Sequence, residues 1–244
     1  MNSRDWKAEY EGRVAWIRSM VESAGVSGII FGNSGGKDSA LVGILCKAAC
    51  DDTVGIIMPC ASKRNYGEDA DDGRALAEQF GIETRVVDLT AVREQELEAL
   101  KGVTNLTDLS ISNIAPRLRM TTLYAIGQAE GRLVAGTGNR SEAYMGYFTK
   151  WGDGAYDFNP ISDLTATEVF AFLRWLGAPS SIVEKAPSAG LFDGQTDEAE
   201  MGVTYRAIDT WLQEGTAEEK DLAVIERYHA RSEHKRRPIP TYQA

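Results

Sequence analysis

Ser34-Gly35-Gly36-Lys37-Asp38-Ser39 lies between two apolar stretches, residues 28–32 before it and residues 40–45 after it. The first stretch predicts a buried parallel strand, and the second predicts the start of a helix. In such a unit, glycines let the backbone approach a ligand, and the helix N-terminus presents N–H groups and a positive dipole. The hexapeptide therefore predicts an anion site, beside which Asp38 could hold a hydrated cation such as Mg²⁺. Its spacing differs from that of a Walker A loop, Gly-x4-Gly-Lys-Ser/Thr.

Further apolar runs predict strands, and helical patterns alternate with them. The predicted strands are 54–58, 84–89 and 133–136, and the predicted helices are 5–24, 38–49, 67–80, 112–130, 165–176, 198–213 and 217–232. This alternation predicts an α/β fold with a doubly wound open parallel sheet and helices on both faces. Residues 89–112, 151–163 and 186–197 are less regular; we interpret them as loops, the first with a short helix. No repeat or linker divides the chain, so 1–244 is expected to form a single domain.

Composition narrows the class of protein. The chain has 26 basic and 36 acidic residues and a formal net charge of −10, which does not favour binding to nucleic acid or to an anionic membrane. The N-terminus is polar, without a signal peptide, and no apolar run reaches the roughly 20 residues that span a bilayer. The three cysteines, Cys46, Cys50 and Cys60, have no evident fourth ligand, and with only two histidines in the chain a structural zinc site is disfavoured. Their odd number favours reduced thiols and a cytoplasmic protein.

A second strand–loop–helix pattern occurs at Gly136-Thr137-Gly138-Asn139-Arg140-Ser141-Glu142. Ligands of open parallel sheets sit outside the C-terminal ends of the strands, and both loops occupy such ends. We therefore expect Asp38 and Glu142 to share a Mg²⁺ ion on a triphosphate, because Mg²⁺ commonly takes one or two protein carboxylates. Glu142 is also compatible with a purely structural role at a helix N-terminus.

Together with five other motifs, these loops make residues 26–238 resemble the ammonia-dependent NAD synthetases, a family of N-type ATP pyrophosphatases. The matching stretches are SGGKDSA (34–40), RLRMTTLY (117–124), GTGNRSE (136–142), GYFTKWGDG (146–154), KAPSAGL (185–191), GQTDEAEMG (194–202) and SEHKR (232–236). The resemblance implies an adenine-nucleotide alpha-hydrolase-like fold and a ligase that works as a homodimer. The reaction it implies converts nicotinic acid adenine dinucleotide (deamido-NAD), ATP and ammonia to NAD, AMP and pyrophosphate through an acyl adenylate.

The resemblance also implies roles for individual residues, grouped by ligand. The residues expected to hold ATP are Gly32, Asn33, Ser34, Gly35, Gly36, Lys37, Asp38, Ser39, Thr137 and Ser188. The residues expected to hold deamido-NAD are Arg117, Lys150, Asp157, His234 and Lys235. Asp38 and Glu142 are expected to bind Mg²⁺. No protein nucleophile is expected, because this chemistry needs positioning and charge stabilisation.

Two departures from the family pattern concern charge. Members often carry Lys-Ala-Arg where this chain has residues 115–117, Ala-Pro-Arg, and a lysine where it has Ala166. Lys37 or Lys185 is a candidate to supply the missing charge. The departures leave room for an alternative, a paralogue of the same chemistry that activates a different carboxylate. A nucleotide sensor without activity is disfavoured, because plain binding needs the two metal carboxylates less than pyrophosphate departure does.

The nitrogen donor is expected to be ammonia rather than glutamine. The matching motifs begin near residue 26, which leaves far less chain before them than a glutaminase domain requires. A nearby histidine would support a nucleophilic role for a cysteine, but none of the three cysteines has one nearby in sequence. The expected partners are therefore ATP, deamido-NAD and ammonia.

Overall fold

A four-stranded parallel sheet organises the computed structural model, which describes residues 4–60, 66–185 and 196–242. The strands β1 to β4 are Gly28–Gly32, Thr53–Ile57, Glu83–Val86 and Arg132–Ala135. Their order across the sheet is β3-β2-β1-β4, and all three pairings are parallel. The predicted open parallel sheet is therefore confirmed, although β3 is shorter than the predicted strand 84–89.

Helices surround this sheet. In chain order, α1 to α13 are Trp6–Ala24, Lys37–Ala49, Glu68–Phe80, Thr90–Leu100, Asp108–Ser112, Ile114–Glu130, Arg140–Met145, Ala166–Leu176, Ser180–Val183, Asp197–Met201, Tyr205–Glu214, Glu219–Arg231 and Glu233–Arg236. In the part of the chain that the structure describes, none of the helices combines the length and the apolar character needed to cross a lipid bilayer.

Alternate side chains of β1 pack into different cores on the two faces of the sheet. Ile29 and Phe31 join the cluster formed with α1, α2 and α8, whereas Ile30 joins the cluster formed with α6. All three side chains are fully buried, as expected for a strand covered on both faces. A third cluster, which includes Met145 and Ile208, packs α7 against α11 and α12. The doubly wound arrangement is thus confirmed.

Of two long predicted helices, one is nearly continuous in the structure and the other is divided. The helix predicted at 112–130 is α6, and α5 precedes it as a separate element; Pro116 lies in the first turn of α6, where the N–H that proline lacks is not needed. The prediction of a single helix at 198–213 is wrong, because α10 ends at Met201, just before Gly202, and α11 begins at Tyr205. Gly202 has a φ of 75°, a left-handed conformation that glycine adopts without strain.

The irregular regions are partly helical. Residues 89–112 contain α4 in addition to α5, and α4 has no buried residue. Residues 151–163 form no helix or regular strand, although Phe158 makes an isolated parallel bridge to Ala135 at the end of β4. Most of the predicted loop 186–197 lies outside the described residues.

We expect Gly43→Ala to lower the free energy of unfolding, because a Cβ at Gly43 would lie 2.6 Å from Cζ of the fully buried Phe31. Overpacking of this kind costs about 1–3 kcal/mol and outweighs a helix-propensity gain of up to about 1 kcal/mol. Gly12→Ala on α1 is the matched control, since a Cβ there meets no neighbouring atom within 4 Å. It should raise stability by about 0.5–1 kcal/mol. Urea unfolding measures both variants; a Gly43→Ala protein as stable as the parent would contradict this packing argument.

Candidate active site

The candidate site lies at the C-terminal ends of β1 and β4. The chain builds β2 and β3 on one side of β1 and then places β4 on the other side, so the strand order reverses between β1 and β4. Ligands of open parallel sheets bind at this kind of switch point. Phe31 pairs with Ala135, which brings the two predicted loops to the same edge, and a pocket of about 770 Å³ opens there.

The loop of the hexapeptide is held by its own hydroxyl groups and by glycine. Gly35 has a φ of 73°, and a Cβ there would lie 2.1 Å from the Asp69 carbonyl oxygen, so only glycine fits. The Ser34 and Ser39 Oγ atoms are 3.0 Å apart, and Ser34 Oγ accepts a hydrogen bond from Gly36 N at 3.3 Å. Gly36 caps α2 without a side-chain hydrogen bond. The first N–H groups of α2 are thereby left for an anion.

Asn139 joins the two predicted metal carboxylates. This buried side chain donates from Nδ2 to Asp38 Oδ1 at 3.0 Å, and the Asn139 backbone N–H donates to Glu142 Oε2 at 3.2 Å. Asn139 Oδ1 accepts from Glu142 N at 3.0 Å, which completes a capping box at the start of α7. Glu142 therefore has the helix-start role that the sequence left open, and its other oxygen remains near Lys37. Sequence reasoning missed Asn139, although Asn-x-x-Glu before a helix is a capping signal.

Lys37 places a positive charge between these carboxylates. Its side chain is 6% exposed; Nζ contacts Asp38 Oδ2 and lies 3.6 Å from Glu142 Oε1. Burial alone would lower the pKa of the Lys37 ammonium, but the two carboxylates raise it above its ordinary value, so Lys37 stays charged. Burial and the charge of Asp38 raise the pKa of Glu142 well above its ordinary value, and Lys37 opposes this shift.

Asp197 and Tyr205 extend the cluster from the C-terminal part of the chain. Asp197 is buried and accepts a hydrogen bond from the Tyr205 hydroxyl at 3.0 Å. The centre of the Tyr205 ring lies 5.3 Å from Lys37 Nζ. Burial, reinforced by the nearby carboxylates, raises the pKa of Tyr205 well above its ordinary value, so its hydroxyl remains a donor. Sequence reasoning assigned neither residue a role, although Asp197 lies within the motif at 194–202.

A second group of lining residues is basic. Arg117 donates to the Lys150 carbonyl at 3.3 Å, and Lys150 Nζ donates to the His234 carbonyl at 2.7 Å. Lys235 Nζ donates to the Gly146 carbonyl at 2.7 Å, and burial lowers the pKa of this lysine. The C-terminal segment is therefore joined to the loop after α7.

Arg119 is a further arginine that the sequence reasoning did not single out. It lines the same pocket, and its Nε donates to the Met58 carbonyl at 3.1 Å, next to the C-terminal end of β2. Burial lowers the pKa of Arg119, which remains far above neutrality for a guanidinium. Its position two residues after Arg117 in the motif RLRM was the signal that could have found it.

The pocket brings together most of the residues singled out in the sequence. The lining residues among them are Gly32, Asn33, Ser34, Gly36, Lys37, Asp38, Ser39, Arg117, Thr137, Glu142, Lys150, His234 and Lys235. Gly35 belongs to the same loop without lining the pocket. Asp157 lies apart, at β4, where it accepts from Val134 N at 2.8 Å and from the Tyr124 hydroxyl at 3.1 Å. Ser188 lies outside the described residues.

Both lysines that were candidates to replace the charge missing at Ala166 line the pocket. Lys185 Nζ lies 2.8 Å from Asp69 and 2.6 Å from Asp72, whereas Lys37 pairs with Asp38 and Glu142 as described above. Ala166 itself is fully buried. Each candidate lysine is therefore already paired with two carboxylates.

Asp38 and Glu142 fit Mg²⁺ by the chemistry of their donor atoms, because Mg²⁺ prefers oxygen ligands and usually takes one or two carboxylates. Within residues 4–60, 66–185 and 196–242, no group of three or more His, Cys, Asp or Glu side chains could hold a metal ion. The remaining ligands would then come from phosphate and water. A polyphosphate that carries a metal ion would suit this site, which combines N–H groups at the start of α2, paired carboxylates and a basic group.

Comparison with known proteins agrees with this geometry. The family model described as NAD synthase matches residues 9–239. The NH(3)-dependent NAD(+) synthetase of Carboxydothermus hydrogenoformans is 45% identical over 236 residues, which cover 96% of each chain. The earlier resemblance to NAD synthetases is thereby confirmed.

Two solved structures support the same assignment. An NMN synthetase from Francisella tularensis superposes with a TM-score of 0.94 at 37% identity, covering 99% of this chain and 100% of that one. An NH3-dependent NAD synthetase from Campylobacter jejuni, solved in complex with nitrate, superposes with a TM-score of 0.81 at 27% identity, covering 98% and 100%. The family model matches most of the chain, and the related structures overlap with it almost completely, so the chain belongs to the NAD synthase family.

Proposed function

We propose that this chain is a ligase that amidates deamido-NAD with ammonia, using ATP, to give NAD, AMP and pyrophosphate. The observation that carries the proposal is the 45% identity, over nearly the whole of both chains, to a relative named for this activity. The pocket adds chemical support, because it combines a phosphate loop with two carboxylates and a basic group. The alternative of a different carboxylate substrate is less favoured.

The reaction needs an activated carboxylate, because a free carboxylate is a poor electrophile with a poor leaving group. In the first step, a nicotinate carboxylate oxygen attacks the α-phosphorus of ATP, and the bond from that phosphorus to the bridging oxygen breaks. Pyrophosphate leaves, and an acyl adenylate remains. Ammonia then attacks the acyl carbon, AMP departs with the former carboxylate oxygen, and the nitrogen loses one proton to solvent.

The chain's contribution is to hold charge and position the reactants. The N–H groups at the start of α2, with Ser34 and Ser39, would hold the phosphates that become pyrophosphate, where negative charge develops. Thr137 and Ser188 remain proposed ATP contacts. For the dinucleotide we propose the basic group, since arginine and lysine suit a ligand with a pyrophosphate and a free carboxylate. The basic residues are Arg117, Lys150, His234 and Lys235. Asp157 stays a predicted contact of the dinucleotide, although it lies apart from this group.

We propose that Asp38 and Glu142 hold Mg²⁺. Asn139 hydrogen-bonds one oxygen of each carboxylate, so Asp38 Oδ2 and Glu142 Oε1 would be the oxygens available to the ion. When bound there with ATP, the ion would neutralise charge on the departing pyrophosphate.

A cytoplasmic location is also part of the proposal. The thiols of Cys46, Cys50 and Cys60 are all free in the structure, as expected in a reducing compartment. Fractionation of the cells that express the chain would measure this directly, and recovery in a secreted fraction with oxidised cysteines would contradict it.

The central prediction is that purified chain, ATP, Mg²⁺ and ammonium convert deamido-NAD to NAD with one AMP per turnover. Glutamine should not replace ammonium. At subsaturating total ammonium the rate should rise with pH, because NH₃ is the nucleophile and its fraction increases as NH₄⁺ loses its proton. Chromatographic product analysis measures this, and NAD formation from glutamine free of ammonia would refute the nitrogen assignment.

Nicotinic acid mononucleotide is the competitor to include, because one closely superposing structure is named an NMN synthetase. With both substrates in one reaction, we expect deamido-NAD to have the larger kcat/KM. A preference for the mononucleotide would leave the proposed amidation unchanged but would make nicotinic acid mononucleotide the substrate. Absence of AMP formation with either substrate would contradict the ligase proposal itself.

Asp38→Asn and Glu142→Gln should each reduce kcat by about a hundredfold. Loss of one well-placed electrostatic contact to developing charge costs on the order of 3 kcal/mol. Asp51→Asn is the control, since that carboxylate is fully exposed and lies 4.0 Å from its only ion-pair partner among the described residues, Lys47. Steady-state kinetics on folded variants decides the matter, and near-normal turnover of both site variants would remove the metal assignment.

Arg117→Met should raise KM for deamido-NAD by roughly tenfold or more, while KM for ATP changes little. The guanidinium has one long backbone hydrogen bond and an exposed head, and a charged hydrogen bond contributes about 1.5–3 kcal/mol. Arg227→Met on α12 is the control because Arg227 is exposed and does not line the pocket. Equal increases in both KM values would point instead to a general change of the pocket.

A homodimer is the proposed assembly. Only Ala115, Pro116 and Gly127 are buried on the 17-residue helix α6, and Leu109 beside it is 70% exposed. Leu109 thus leaves apolar surface exposed next to α6, and exposed apolar surface is found at many protein interfaces. Light scattering should give twice the mass of one chain at micromolar concentration, and a fully active monomer would contradict this expectation.

A further inference from the structure

Each carboxylate of the proposed metal pair uses one oxygen for Asn139 and presents the other to Lys37. Asp38 Oδ1 accepts from Asn139 Nδ2 at 3.0 Å, and Glu142 Oε2 accepts from Asn139 N at 3.2 Å. Asp38 Oδ2 contacts Lys37 Nζ, and Glu142 Oε1 lies 3.6 Å from that same atom. A divalent ion that used these remaining oxygens would therefore need the place of the ammonium group.

The ammonium group is held in this place from several sides. The Lys37 side chain is 6% exposed, and its Nζ lies 5.3 Å from the centre of the Tyr205 ring and 5.8 Å from that of Phe170. Both distances are within the range of a cation–π contact. Asp197, which accepts from the Tyr205 hydroxyl, adds a further negative charge near Lys37. Lys37 is thus a fixed part of the site rather than a solvated surface lysine.

We propose that Lys37 is the resident counter-ion of Asp38 and Glu142, and that it makes this chain take up a divalent cation only together with the nucleotide. The proposal rests on the proposed function, since it takes these two residues as the metal carboxylates. It concerns the free enzyme, in which the lysine keeps two like charges close to each other before any metal arrives.

The physical reason is competition for the same oxygens. A bare divalent ion meets the positive charge of Lys37 in a partly buried site, where solvent screens that repulsion weakly. A nucleotide changes the balance because its phosphates supply ligands for the ion and acceptors for the three N–H donors of Lys37. The ammonium can then leave the carboxylate oxygens as the ion reaches them. The carboxylates are in this way arranged for the metal before it binds.

The test is a titration of the nucleotide-free protein with Mn²⁺ alone, with unbound Mn²⁺ followed by electron paramagnetic resonance. Lys37→Met should bind Mn²⁺ at least tenfold more tightly than the parent chain. The gain should vanish in Lys37→Met/Asp38→Asn. Lys47→Met, which removes the same charge elsewhere on α2, should bind like the parent. A rise in Tm with Mn²⁺ that is specific to Lys37→Met is a second readout.

Several outcomes would overturn the proposal. One is equal Mn²⁺ affinity of the parent and Lys37→Met. Another is a gain in Mn²⁺ affinity that persists in Lys37→Met/Asp38→Asn. If Lys37→Met does not fold, Lys37→Gln keeps a donor to Asp38 and removes the charge. A tight nucleotide-free site in the parent that disappears in Asp38→Asn overturns the proposal without any Lys37 variant. Failure of the amidation assay is a separate result, because the metal titration needs no turnover.

Discussion

The parallel pairing of β1 with β4 is the constraint on which the candidate site depends. Phe31 lies opposite Ala135, so two loops that are about a hundred residues apart in the chain begin at adjacent strand ends. The hydrogen bond from Asn139 to Asp38 then becomes possible, and with it the joint placement of the two carboxylates. A register shift by one residue would exchange the side chains that β4 presents to the two cores and would displace one loop relative to the other. The same strand pairing therefore packs the sheet and brings the residues of the candidate site together.

The candidate site differs from the rest of the fold because it places charged side chains in the interior. Lys37 and Asp197 are buried, while Asp38 and Glu142 are partly so. Desolvation of such groups often equals or exceeds their mutual attraction, so the cluster does not account for the stability of the domain. The apolar cores on both faces of the sheet supply that stability. They also keep the charged groups in place for a ligand, which reduces reorganisation when it binds.

The sequence predicted the parts of the structure that local pattern determines. Strands β1 and β2 were found because burial on both faces produces apolar runs, whereas the partly exposed strand β3 was predicted too long. Helix α4 gave no clear signal because none of its residues is buried, and the break at Gly202 depends on one left-handed residue. In the site, motif residues at strand ends were found, whereas Tyr205 joins Lys37 only through tertiary packing. Asp157 remains a prediction, since it does not line the pocket and its contacts are with β4 and α6.

The turn that carries Lys150 contains Trp151, the one non-glycine residue with a positive φ among those that the structure describes, at 62°. The Lys150 ammonium lies 5.4 Å from the centre of its ring, and the indole is half exposed between two residues that line the pocket. Indole emission responds to nearby charge and to water. Movement of the Lys150 ammonium toward a bound dinucleotide would therefore alter the fluorescence of Trp151. The fold thus contains an intrinsic optical reporter at the rim of the candidate site, which needs no attached dye.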